Sequence, residues 1–212
     1  MEGTEFFDQQ RALLARRLAN AGYSPAVVRA FARVPRHLFV PEEQRAHAYE
    51  DRALPIGEGQ TISQPSMIAI MLDALKLRAN HSVLEVGAGS GYAAALLGCL
   101  VAQVTGLELS PVLAARASET LQRLEMHHVR VLCGNGWNGL AEAAPFDGIL
   151  VSAAPEAVPE DLPKQLRISG RIAIPVGDRA HQVLRVGTRG EHGMRWQESV
   201  PCLFVPLLHP EG

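Results

Sequence analysis

Several classes of protein are excluded by what this chain has little of. Cysteine is scarce: there are three, Cys99, Cys133 and Cys202. They are odd in number and lack the paired spacing of a zinc site, so they read as reduced thiols of a cytoplasmic protein, with no disulfide framework and no metal. Long apolar runs are missing. The longest are strand-length, far short of the roughly 20 residues a membrane helix needs, so no membrane partner is expected. Excess charge is missing too. The 20 Lys and Arg nearly cancel the 22 Asp and Glu, and without a long basic run nothing points to nucleic acid. The opening MEGTEFFDQQRALLARRL is acidic before it is apolar, the reverse of a secretion leader. No internal repeat or low-complexity tract occurs.

What is present suits a globular α/β protein. The 212 residues, 47% of them hydrophobic, fit a single domain with a sizeable core. Residues 8–20 predict an amphipathic helix with Leu13, Leu14 and Leu18 on one face. Pro25 starts a second helix that Val34-Pro35 closes. From Val34 to Gln64 proline and glycine are dense, which predicts a binding loop or connector. Met67, Ile70, Met71, Ala74 and Leu75 then recur at helical spacing. Strands are expected over 82–86, 103–109, 129–132, 147–151 and 171–174. Helices are expected over 92–100, from Ser110-Pro111 onward, and over 159–166. The segments 182–188 and 194–200 alternate as a closing hairpin. This order predicts a doubly wound, Rossmann-like and mainly parallel sheet with helices on both faces. It carries antiparallel strands at the C-terminus and a small helical N-terminal extension. Residues 1–212 are expected to form one domain, with 1–66 covering the site and 67–212 building the sheet.

The chemistry-bearing stretch is Glu85-Val86-Gly87-Ala88-Gly89-Ser90-Gly91-Tyr92, between the first strand and its helix. Glycine permits a tight turn and close approach of a ligand to the backbone. Glu108 ends the second strand about 20 residues later, where an acid can accept hydrogen bonds from both hydroxyls of a ribose. A dinucleotide fingerprint would place its third glycine where Tyr92 stands, so a nicotinamide dehydrogenase is disfavoured. The run E-x-G-x-G-x-G instead resembles the first motif of class I methyltransferases.

Further segments make the resemblance narrower. Tyr49 to Pro65, YEDRALPIGEGQTISQP, is similar to the signature Y-x-D-x-x-L-P-I-G-x-G-Q-T-I-S-Q-P of the protein-L-isoaspartate O-methyltransferase family. Val34 to Pro41 resembles its R-V-P-R-x-x-F-V-P segment. Residues 144–155 resemble its A-P-F-D-A-I-x-V-x-A-A-P stretch, 170–177 its G-G-R-L-V-x-P-V-G, and 204–207 its F-V-P-L. Together they cover nearly everything from residue 34 onward.

That resemblance implies transfer of a methyl group from S-adenosylmethionine, leaving S-adenosylhomocysteine, to the free carboxylate of L-isoaspartyl residues in damaged proteins or peptides. It implies Ser63 as the catalytic residue. For the cofactor it implies Gln60, Thr61, Ile62, Ser63, Glu85, Gly87, Gly89, Gly91, Glu108, Leu109, Asn135 and Gly136. A carboxylate is already ionised at neutral pH, so the reaction needs orientation and dryness more than a base. Two departures from the family matter, beside a minor one at Ser169-Gly170 where two glycines are usual. Asn135 stands where an acid usually accepts from the adenine amino group, keeping the acceptor oxygen without the charge. Ser66 stands where Tyr or His is usual, which implies a more open substrate wall. Two other readings stay open: a related carboxyl methyltransferase acting on aspartate of a dedicated peptide, and a non-catalytic S-adenosylmethionine-binding module.

Overall fold

A computed structural model describes residues 2–208, with side chains from Glu5 onward; residue 1 and residues 209–212 of the expected domain lie outside the described residues. Helix α1 spans Glu2–Asn20 and α2 Pro25–Arg33. Ser24 caps α2, its hydroxyl accepting from Val27 N at 3.5 Å, with Pro25 in the first turn where a missing N–H costs nothing. Ser24 N also donates to Asp73 Oδ2 at 3.0 Å, which ties α2 to the helix that follows. Leu14 and Leu18 are buried as expected, but Leu13 is 42% exposed. A step of one residue turns it about 100° from Leu14, off the buried stripe.

The proline- and glycine-rich stretch is more ordered than a connector. After two short 3₁₀ turns it forms a hairpin of β1 (Leu54–Gly57) and β2 (Gln60–Ile62). The reversal runs through Gly57, Glu58 and Gly59, all at positive φ. Helix α3 (Pro65–Leu75) follows, then β3 (Ser82–Val86), α4 (Tyr92–Gly98), β4 (Gln103–Glu108), α5 (Pro111–Arg123), β5 (Val129–Cys133) and β6 (Phe146–Val151). Last come α6 (Asp161–Lys164), β7 (Leu166–Gly177), β8 (Gln182–Gly190) and β9 (Gly193–Cys202).

The sheet order is β5-β4-β3-β6-β7-β8-β9. Strands β5 to β7 of that order pair in parallel, and β8 and β9 are added antiparallel. From β3 the chain moves outward through β4 to β5, then returns to the other side of β3 as β6. The loops leaving β3 and β6 therefore diverge, and the crevice between them at the carboxyl ends of the strands is where such sheets bind ligands.

Alternation decides the two faces. Val83, Val104, Val131 and Leu150 join one apolar cluster with Leu14, Phe31, Met71, Leu96 and Leu121 of the long helices. Leu84, Val86, Ile149 and Val151 join the other, with Leu162 of α6. One expected helix is much shorter. The segment 159–166 holds only the single turn of α6, because Pro163 carries no N–H to extend a ladder. The following strand starts at Leu166 rather than Arg171, with a break in register between the Phe146 and Gly148 pairings. Among the described residues no helix is long and apolar enough to cross a membrane.

Candidate active site

The turn after β3 is fastened to β4. Gly87 N and Ala88 N both donate to Leu107 O, at 2.9 and 3.0 Å, and Gly91 N returns to Ala88 O at 2.8 Å. Gly89 has φ +55, and a Cβ there would sit 3.3 Å from Ile56 Cδ1. The hairpin thus lies directly over the turn, leaving no depth for a side chain between them. Arg116 of α5 holds the hairpin down, its Nη1 donating to Ile56 O at 3.0 Å.

Glu108 is 7% exposed and closes the far side of the turn. Its Oε2 accepts from Gly89 N at 2.7 Å and its Oε1 from Ser110 N at 2.9 Å. Each oxygen keeps a lone pair, so the carboxylate is fixed in direction yet can still accept from two neighbouring hydroxyls.

Glu85 is the site's unusual group. It is 1% exposed at the centre of the sheet. Oε1 accepts from Ser152 Oγ at 3.1 Å, while Oε2 makes no hydrogen bond. Burial pushes its carboxyl up to about 8; the Ser152 hydroxyl opposes this, the nearby Glu108 charge adds to it, and the Ala94 backbone N–H opposes it. A buried acid of this kind awaits either a proton or a cation.

Nearly all the expected residues line one or other of two adjoining pockets, the inner and outer ends of one site, which share Thr61, Gly87, Gly89 and Ser152. Its inner end is lined by Thr61, Ile62, Ser63, Glu85, Gly87, Gly89 and Ser152. Its outer end is lined by Gln60, Thr61, Gly87, Gly89, Glu108, Leu109, Asn135 and Gly136. Gly91 borders neither; at φ +82 it caps α4, where a Cβ would stand 3.0 Å from Ala117 Cβ. Ser66 borders neither either. Its hydroxyl accepts from Gln64 Nε2 at 2.9 Å and its N donates to Asp51 Oδ1 at 2.8 Å, so it serves the start of α3. Asn135 is committed on both sides: Oδ1 accepts from Trp137 N at 2.8 Å and Nδ2 donates to Leu208 O at 3.4 Å. Among the described residues no group of three His, Cys, Asp or Glu could hold a metal ion.

Two parts of the wall have no assigned place in the sequence reading. Ser152 follows β6 and is drawn in by its N–H bond to Val86 O at 2.8 Å. The segment Phe204–Leu208 crosses the mouth, where Ala154 N donates to Val205 O at 2.8 Å and Leu207 N to Ala154 O at 2.9 Å. Its F-V-P-L run was recognisable as a motif, but nothing local in a run of mixed apolar residues tells where it lies. The crevice opens past Thr61 and Phe204 into a long groove bordered by Trp137, Glu156, Asp178 and Gln182.

Comparisons agree with this geometry. Residues 9–212 match the family described as Protein-L-isoaspartate(D-aspartate) O-methyltransferase (PCMT). A protein-L-isoaspartate O-methyltransferase of Roseiflexus castenholzii is 47% identical over 204 residues, 96% of this chain and 94% of that one. Protein-L-isoaspartate O-methyltransferase 2 of Marinobacter nauticus is 44% identical, covering 100% of this chain and 98% of its own. A solved protein-L-isoaspartate O-methyltransferase superposes with TM-score 0.87 at 28% identity, over 92% of this chain and 65% of that longer one. A Plasmodium falciparum relative, in complex with S-adenosyl-L-homocysteine, gives TM-score 0.82 at 26% identity, over 93% of this chain and 98% of its own.

Proposed function

We propose a function from one premise, that this chain belongs to the protein-L-isoaspartate(D-aspartate) O-methyltransferase family: it methylates the free carboxylate of L-isoaspartyl residues in damaged proteins or peptides. The observation that carries the reading is a pair of adjoining pockets, one lined by Ser63 and Glu85 and the other by Glu108, that share Thr61, Gly87, Gly89 and Ser152.

The residues fit S-adenosylmethionine as the donor. Bound there, it supplies an electrophilic methyl group on a positively charged sulfur. Glu108, held by two backbone N–H groups, has a free lone pair on each oxygen for the two ribose hydroxyls. Asn135 Oδ1 retains a lone pair for the adenine amino group, beside Gly136 and Leu109. Gly87 and Gly89, both at positive φ, form the tight turn that borders both pockets. The unpartnered Oε2 of Glu85 suits the ammonium of the amino-acid end. Gln60, Thr61 and Ile62 border the cofactor from the hairpin side.

At the inner end Ser63 donates its hydroxyl to the substrate carboxylate and aims one oxygen at the methyl group. No base is required, since the carboxylate is already ionised. The charges of the reacting pair cancel as the bond forms, so a crevice roofed by the hairpin and by Phe204–Leu208 favours the step by keeping water out. The methyl ester then closes on the adjacent backbone nitrogen with loss of methanol, and the succinimide reopens in part to normal aspartate. Neither later step needs this chain. On this reading residues 1–212 work as one unit, 1–66 covering and 67–212 binding the cofactor. The setting is the cytoplasm, the partners are isoaspartyl proteins or peptides, and no metal is needed.

Ser63→Ala tests it. Single-turnover methylation of an isoaspartyl peptide at saturating cofactor should fall on the order of 100-fold, with cofactor affinity little changed. A rate near that of the native chain would remove Ser63 from the mechanism.

A further inference from the structure

Arg36 stands outside every role assigned so far, and its surroundings are unusual. It is fully buried, with 0% exposure. The ion pairs among the described residues do not include it. Its Nε donates to Ala48 O at 2.8 Å and its Nη2 to Ser63 O at 2.9 Å. The guanidinium lies over the ring of Tyr92, 4.9 Å from the centroid. Tyr92 is the first residue of α4, next to Gly91 of the cofactor turn. One side chain therefore touches the segment that carries Ser63 and the helix that continues the glycine turn.

Stability alone does not explain a cation here. A buried charge with no direct ion pair is costly, and here attraction to the Tyr92 ring and the Asp51 carboxylate only partly offsets burial. Burial lowers its pKa to about 10, so the group stays charged at neutral pH despite that cost. Planar donors explain why arginine is used. Two N–H groups in one rigid fork reach two carbonyls at once while the face stacks on an aromatic ring, which lysine cannot do.

We propose that Arg36 is a positioning residue for methyl transfer: by gripping the Ser63 carbonyl while resting on Tyr92, it sets the Ser63 hydroxyl relative to the cofactor turn. The inference rests on the role given to Ser63 above. It assigns Arg36 no contact with substrate or cofactor.

The test compares R36M and R36K, alone and with S63A. Single-turnover methylation of an isoaspartyl peptide at saturating S-adenosylmethionine should fall about 10- to 100-fold in R36M. Affinity for S-adenosylhomocysteine should move less than about threefold, and R36K should recover part of the rate. In the S63A background R36M should cost little more, because both changes remove the same orienting contact. Amide hydrogen exchange across residues 60–64 should quicken in R36M and less so in R36K. An equal loss from R36M in both backgrounds overturns the proposal, as does an S63A rate near that of the native chain while R36M is slow, or unchanged exchange over 60–64. Should R36M not fold, R36K carries the same readouts. If the native chain transfers no methyl to the peptide, the functional reading fails, and the exchange measurement alone decides whether Arg36 holds the segment.

Discussion

Glu85 gives the sharpest prediction, because its environment couples cofactor binding to pH. Burial first, then the Glu108 charge, raises its carboxyl from the ordinary 4.5 to about 8, so the cofactor-free chain holds it protonated at pH 7. An ammonium set against the bare Oε2 favours the ionised form, and binding must then release a proton. Between about pH 6 and 8 the affinity for S-adenosylhomocysteine should rise up to about tenfold per pH unit and then level off. Calorimetry in two buffers of different ionisation enthalpy reads both the slope and the proton released. Glu85→Gln keeps the shape and the acceptor for Ser152 Oγ but cannot ionise. It should bind with little pH dependence, resembling the native chain at pH 6 and weaker by about 1–3 kcal/mol at pH 8, where a charge-assisted hydrogen bond is lost. Stability follows the opposite sense. The folded chain binds the Glu85 proton more tightly than the unfolded one, so cofactor-free stability falls as pH rises from 4.5 towards 8, by at most about 1.4 kcal/mol per unit, and Glu85→Gln should flatten that fall. Equal pH slopes for the two proteins would refute the assignment of Glu85 to the ammonium end.

Three further outcomes are expected. Glu108→Ala should weaken binding of S-adenosylhomocysteine by roughly 1–3 kcal/mol; it should also lower the melting temperature, because Gly89 N and Ser110 N lose their acceptor. Binding unchanged by calorimetry would place the ribose elsewhere. Asn135→Asp keeps the acceptor for Trp137 N but gives up the donor to Leu208 O, so cofactor affinity should hold or improve while exchange at residues 205–208 quickens; a marked loss of affinity would mean that the adenine does not meet this side chain. Gly136→Ala would place a Cβ 2.6 Å from Val86 Cγ1, and should destabilise the fold by about 1–3 kcal/mol in urea titration; full stability would show that the loop moves freely.

Strands β3 to β6 could be read from the sequence because each is a short apolar run closed by its own turn, whereas β7, twelve residues long, was read only over its β-branched part, 171–174. Gly87, Gly89 and Glu108 could be read because a crevice at the switch point needs bare backbone and an acid at fixed spacing. Segments whose position depends on distant contacts were less legible. The β1–β2 hairpin has strands too short to show alternation and is held from α5 by Arg116. The Phe204–Leu208 wall is set by Ala154 and Gln182, far away in the chain. The protonation of Glu85 was invisible for the same reason: a lone acid in the sequence gives no sign that the sheet will bury it. Ser66 shows the reverse case, a position marked as unusual whose side chain and backbone serve the start of α3.

The central claim is carboxyl methylation of isoaspartate. It is tested most directly by incubating the purified chain with S-adenosylmethionine labelled in its methyl group and two peptides that differ only in aspartate or isoaspartate at one position. The account predicts base-labile label on the isoaspartyl peptide and almost none on its partner. Label on the aspartyl peptide, or on neither while S-adenosylhomocysteine still binds, would contradict it.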